Sequence, residues 1–210
     1  MAIKNTPEFK FELQEPDLNK PQFINVIRNS LKITYPNGTQ KTTAVDSIKR
    51  KNPDAVVIMP FKVINGKMHT FLRSCIRPGA VVRSITDPNF EYSGVIWEFA
   101  AWIIDPGETA AEAAKRECME ELGFDIELER FVHVQTVLSM PSLIAERLEF
   151  FMVHVLDTDE FKEPSLDGSA LEEGGEILEI SLEDLYNNIF EIPDLKTNLG
   201  ARILADILQF

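Results

Sequence analysis

Glu108, Arg116, Glu117, Glu120 and Glu121 are spaced so that a single helix would carry them as a cluster. Glu117 and Glu121 lie one helical turn apart and share a face, with Glu120 beside them. Carboxylates that close repel one another at neutral pH and weaken a helix unless a cation sits among them. Arg116, four residues before Glu120 and four after Glu112, offsets part of that charge. The remainder suits a hard cation with oxygen ligands, Mg2+ or Mn2+, and such ions keep several waters and bind substrate phosphates. The chemistry this spacing offers is metal-assisted work on a phosphate. Glu-rich helix faces on their own are more often solvated surfaces, so the surrounding elements decide the reading.

The helix itself is well bounded. Asp105-Pro106-Gly107 is a turn, Thr109 with Glu112 is a capping box, and Gly123 after Leu122 is a stop. Ala110, Ala114, Cys118 and Leu122 recur every fourth residue as a narrow stripe of mostly small side chains that can pack close against a sheet. The sheet is legible on both sides. Residues 21–50 alternate polar and apolar about a Pro36-Asn37-Gly38 turn, which predicts a hairpin with another strand in a small N-terminal sheet. A buried strand is expected from Ala55 to Val63, a turn at Asn65-Gly66, and a second strand from His69 to Pro78. Gly94 to Ala101 leads into the acidic helix. Phe131 to Ser139, Leu148 to Leu156 and Ile177 to Ser181 read as further strands, and Thr197 to Leu208 as an amphipathic helix.

The 210 residues, 44% of them hydrophobic, can bury a full core as one domain or as one domain with a small extension. Cys75 and Cys118 are too few and too isolated for a disulfide framework, and no CxxC or His-rich cluster calls for zinc. Residues 1–7 lack the apolar run of a signal peptide and no segment is apolar for long enough to span a bilayer, so the expected setting is cytoplasmic, with no membrane partner. A formal net charge of −13 argues against a nucleic-acid partner, because phosphate backbones are held by basic patches.

The run from Glu108 to Phe124 resembles the Nudix box. That pattern is Gly, five residues, Glu, seven residues, Arg-Glu, an apolar residue, any residue, Glu-Glu, any residue, Gly and an apolar residue. Glu108, Arg116, Glu117, Cys118, Glu120, Glu121, Gly123 and Phe124 fall where it asks, and Trp102 stands where it has its opening glycine. Beyond the box, the Thr34-to-Thr39 turn, Val45-to-Arg50, Leu72-to-Pro78 and Glu98-Phe99-Ala100-Ala101 are similar to the ADP-ribose and nucleoside-diphosphate-sugar pyrophosphatases. That resemblance implies an α/β fold, a Nudix α/β/α sandwich with a mixed sheet over residues 51–210. Residues 1–50 would form a β extension that joins a homodimer. It also implies Mg2+-dependent hydrolysis of a nucleotide-sugar diphosphate to a nucleoside monophosphate and a sugar phosphate.

The same resemblance assigns roles. Glu117, Glu120, Glu121 and the main-chain carbonyl of Ala101 match metal ligands, and Arg116 and Glu108 match supporting positions. Arg77 matches an arginine that grips the diphosphate, a task suited to its planar fork, and Glu98 a carboxylate near the metals. Ser139 to Arg147 resembles a substrate loop in which Pro141, Glu146 and Arg147 fit. Gly174-Gly175-Glu176-Ile177-Leu178-Glu179 resembles the junction that carries the catalytic base, which assigns that role to Glu176, with Glu173 second. Val45 stands where some relatives place a base-stacking tryptophan, leaving Phe23, Tyr35 or Trp102 to supply a ring. Trp102 also keeps open a catalytically weak or inactive Nudix-fold protein that binds such a ligand without cleaving it.

Overall fold

The computed structural model describes residues 6–14, 23–165 and 168–209. The sequence readings at residues 1–5, 21–22 and 166–167 lie outside them.

The central strand β3 (Ala55–Ile64) shows why its sequence is apolar almost without interruption. Val56 and Ile58 belong to a core cluster with Ala113, Ala114, Cys118 and Leu122 of α2 (Ala110–Leu122). Val57, Met59 and Phe61 join a second cluster, with Leu182 and Leu185 of α3 (Leu182–Asn187) and Ala201 and Leu204 of α4 (Leu195–Leu208). A strand covered on both faces must be apolar on both. Each fully buried aliphatic side chain of this kind contributes roughly 1.5–3 kcal/mol. The result is the expected α/β/α sandwich.

The sheet runs β11 (Ile177–Ser181), β4 (Lys67–Ile76), β3, β9 (Arg147–His154), β8 (Val132–Leu138). The β3–β9 pair is parallel and the other pairs antiparallel, so the sheet is mixed. β5 (Val95–Glu98) pairs with β4, and β6 (Ala101–Ile103) with β3. Both lead the chain from the sheet to the start of α2. β7 (Phe124–Asp125) and β10 (Glu160–Phe161) form a short ribbon just past that helix.

α2 has the ends its sequence predicts. Thr109 Oγ accepts from Glu112 N–H, the Glu112 carboxylate accepts from Thr109 N–H, and Gly123 closes the helix at φ 75°. A side chain at residue 123 would lie about 2.0 Å from the Lys162 carbonyl oxygen, so only glycine fits there. The buried face is wider than the stripe of small residues, because it also contains Glu117 and Glu121.

Two elements differ from the sequence reading. The N-terminal sheet has two strands among the described residues, β1 (Asn25–Thr34) and β2 (Gln40–Lys49), because the two apolar runs before the turn form one continuous strand. Arg77-Pro78 is not a strand end. It opens a helix, α1 (Pro78–Thr86), with Arg77 as its cap and Pro78 in its first turn, where a missing N–H costs nothing.

Candidate functional site

Arg116 organises the exposed end of the acidic face. Its guanidinium donates to Glu108 Oε1 at 2.9 Å and Oε2 at 3.0 Å, to Glu120 Oε2 at 3.1 Å and to Glu117. Glu112, the other carboxylate one turn away in sequence, is occupied by the cap, so Glu108 is the partner instead. Glu108 also accepts from Asp105 N–H at 3.1 Å, which ties the turn before α2 to its first carboxylate.

Deeper along the face the charges are harder to accommodate. Glu117 and Glu121 are each 3% exposed. Burial pushes Glu117 up to about 7, against the pull of Arg116. It pushes Glu121 to about 8, with Glu117 adding to the rise and Arg73 opposing it. Glu121 Oε2 is buried with no hydrogen-bond partner among the described residues. An ionised carboxylate in that state is costly unless a cation satisfies it. Among the described residues, no three or more His, Cys, Asp or Glu side chains stand arranged to hold a metal. Arg116 accounts for part of that by drawing Glu117 and Glu120 to itself.

The opposite wall comes from the loop before β11. Glu172 is 6% exposed and faces the same acidic cleft, a space of about 250 Å³ lined by Trp102, Asp105, Arg116, Glu117, Glu120, Glu121 and Glu172. Glu173 and Glu176 are exposed and line neither this cleft nor the cavity beside it. Glu176 is held at its backbone, its N–H donating to Ser74 Oγ at 2.8 Å and its carbonyl accepting from Ser74 N–H at 2.9 Å. Three carboxylates close together in sequence look alike there. Only the packing of the loop singles out Glu172.

The neighbouring cavity, about 630 Å³, has a different character. Arg77 and Lys196 line it. Glu98, 1% exposed, lies behind them, accepting from Arg77 Nε at 3.0 Å and Nη2 and from Lys196 Nζ at 3.4 Å. Glu98 thus holds two cations rather than lining the cavity. Asp194 takes Lys196 at 2.7 Å, and despite its burial that ammonium holds its carboxyl below the usual range. Lys196 was not singled out from sequence, because it starts α4 far along the chain and lacks any local motif.

Arg50 lines the same cavity, donating to Glu146 Oε1 at 2.5 Å and lying 5.8 Å from the centre of the Phe23 ring. Tyr35 does not line it. Arg147 is elsewhere, bound to Asp54 at 2.7 Å and 3.1 Å on a separate cleft with Lys51 and Glu149. Ala101 lines the same cavity, as does Glu121.

Trp102 lines both spaces, as do Glu121 and Glu172. It sits in β6 opposite Val56, and among the described residues the only non-glycine positions with positive φ are Asn65 and Gln209. Its side chain therefore stands in place of the box glycine without backbone strain.

The NUDIX domain family model matches residues 81–198. A solved structure titled "Crystal structure of ADP compounds hydrolase" aligns with a TM-score of 0.62 at 19% identity, covering 93% of this chain and 97% of that one. No curated protein sequence matches the chain.

Proposed function

The chain belongs to the NUDIX family, and on that premise we propose that it hydrolyses the diphosphate of a nucleoside diphosphate sugar such as ADP-ribose, with Mg2+ or Mn2+, to a nucleoside monophosphate and a sugar phosphate. The observation that carries this reading is the junction of the two spaces. Glu121, Glu172 and Trp102 line both the acidic cleft and the cavity holding Arg77 and Lys196. A diphosphate placed across that junction has cations on one side and carboxylates suited to a divalent metal on the other. The ADP-compound hydrolase that shares the fold supports this substrate class.

The residues present fit a metal. Glu121 supplies a buried oxygen without a partner among the described residues, and Glu117, Glu120 and Glu172 add hard oxygen donors around one small cleft. Glu117, Glu121 and Glu120 would hold it, with the Ala101 carbonyl as a further donor. When bound, such an ion polarises a phosphoryl oxygen and makes water more acidic.

The chain's own groups do the rest. Arg77, aimed by Glu98, and Lys196, shared between Glu98 and Asp194, grip the diphosphate. Phe23 and Arg50 offer a flat face to the base at the same cavity. Glu172 takes the base role in place of Glu176 and Glu173, accepting a proton from water as its oxygen bonds to phosphorus. The bond from that phosphorus to the bridging oxygen breaks, and the second phosphate leaves as an anion. Glu108 and Arg116 keep the acidic helix and the turn before it in register.

The hairpin β1–β2 carries exposed Val26, Leu31 and Val45, and two-stranded ribbons are marginal alone. A second copy of the chain covers it in the homodimer this reading includes.

The test is incubation with a panel of nucleotide sugars and Mg2+, reading phosphatase-releasable phosphate. Release from ADP-ribose or a close analogue is expected. Binding without release from any member of the panel would instead favour a ligand-binding protein, the reading that Trp102, lining both spaces, keeps in view.

A further inference from the structure

Among the described residues Arg73 is the largest fully buried side chain, 1% exposed, and no carboxylate there takes its charge through a hydrogen bond. Its two terminal nitrogens donate instead to main-chain carbonyls on different elements. Nη1 reaches Glu121 O at 2.7 Å, in the last turn of α2, and Nη2 reaches Glu172 O at 3.1 Å, in the loop before β11. Nε has no partner among the described residues. The Glu121 carbonyl is one of those a helix C-terminus leaves unmet, where the helix dipole also favours a cation. The loop comes in very close. A side chain at Gly175 would stand 2.6 Å from Ser74 O and 3.1 Å from Arg73 Nη2.

A buried guanidinium with one donor unmet is a poor way to stabilise a core, since an apolar side chain of similar size avoids the cost of desolvating the charge. What an apolar side chain cannot do is span two carbonyls. The planar fork of an arginine can, and a lysine's single nitrogen does so less well. Those two carbonyls belong to Glu121 and Glu172, the two acidic residues that line both spaces of the site.

We propose that Arg73 is a positioning residue: from β4 it latches the Glu172 loop to the C-terminal turn of α2, fixing the separation of the Glu121 and Glu172 carboxylates. Its catalytic half rests on the hydrolase reading above; the latch itself does not.

The experiment compares the full chain with Arg73→Met and Arg73→Lys, by amide hydrogen exchange and by steady-state kinetics with ADP-ribose and Mg2+. In Arg73→Met, exchange over residues 169–176 is expected to speed at least about tenfold while β3 and β9 keep wild-type protection. The kcat is expected to fall at least about thirtyfold with KM within about threefold, because a displaced group of this kind costs turnover more than binding. Arg73→Lys, which keeps the charge and one donor, recovers part of both. If Arg73→Met does not fold, Arg73→Lys carries the test with the same pattern at smaller size.

Unchanged loop exchange in the folded variants overturns the latch. Loosening spread equally over loop and sheet also overturns it, since that marks general core support. A loosened loop with wild-type kcat overturns the positioning role. If the wild type cleaves no nucleotide sugar, the hydrolase reading fails, and the exchange pattern alone still decides whether Arg73 holds the loop.

Discussion

On α2, Arg116 bonds to Glu108, Glu117 and Glu120, and Glu117 and its neighbour Glu121 are each 3% exposed. On the β1–β2 hairpin, Arg28 makes an equally well-formed pair with Asp46, at 2.8 Å and 2.7 Å, but the two side chains are 72% and 46% exposed. The bonds are alike and their surroundings are not. Water screens the hairpin pair, and a surface pair contributes little to stability. At Glu117 and Glu121, in the buried part of the cleft, burial makes each charge expensive, so each needs a partner and the absence of one among the described residues, as at Glu121 Oε2, points to a ligand. Distance alone does not distinguish a working charge from an ornamental one, and burial does.

The contrast can be broken most sharply at the cleft. Glu121→Gln and Glu172→Gln are each expected to lower kcat by about a hundredfold to ten-thousandfold at saturating Mg2+. Glu176→Gln should stay within a few-fold. Equal losses in the Glu172 and Glu176 variants would show that exposure is no guide to role in that loop.

The hairpin should respond through association instead. Val26→Glu with Leu31→Glu is expected to shift the sedimentation coefficient from dimer to monomer while α2 keeps its protection from exchange. A double variant that sediments as the wild type removes the case for a covering partner.

A smaller effect concerns pH. Folding raises the proton affinity of Glu117 and Glu121, to about 7 and about 8, so between the ordinary carboxylate range and pH 8 the folded chain holds protons the unfolded chain has released. Stability of the metal-free protein must then fall as pH rises through that window. The melting temperature should drop by roughly 10 °C or more from pH 5.5 to pH 8.5, and added Mg2+ should restore most of it at the higher pH. Glu117→Gln with Glu121→Gln should flatten the dependence. A metal-free melting temperature that rises over the same range contradicts the burial of these charges.

The least effect is expected at the exposed pair. Arg28→Ala should leave the calorimetric melting temperature unchanged within error, and a clear drop would mean the hairpin is not the solvated region its exposure describes.

Local signals read most of this fold from sequence. The capping box and Gly123 bounded α2, two-sided burial made β3 a continuous apolar run, and β11 and α4 followed from their periodicity. What escaped depended on contacts between distant segments. Arg77-Pro78 reads as the end of a strand because α1 is short and its Pro at the start looks like a stop. Glu172 could not be told from Glu173 and Glu176, since burial of one loop carboxylate is set by where Arg73 and Gly175 dock the loop. Glu98 and Lys196 meet only because β5 and α4 converge on one end of the sheet.

Trp102 also gives the protein an optical signal of its own. The chain has two tryptophans, and the other, Trp97, is 4% exposed in the core cluster away from both spaces. Emission from Trp102 should therefore respond to anything that enters either space, with Trp97 a constant background. A Trp102→Phe variant isolates that background. Nucleotide and metal occupancy can then be titrated by fluorescence, with no label and no turnover.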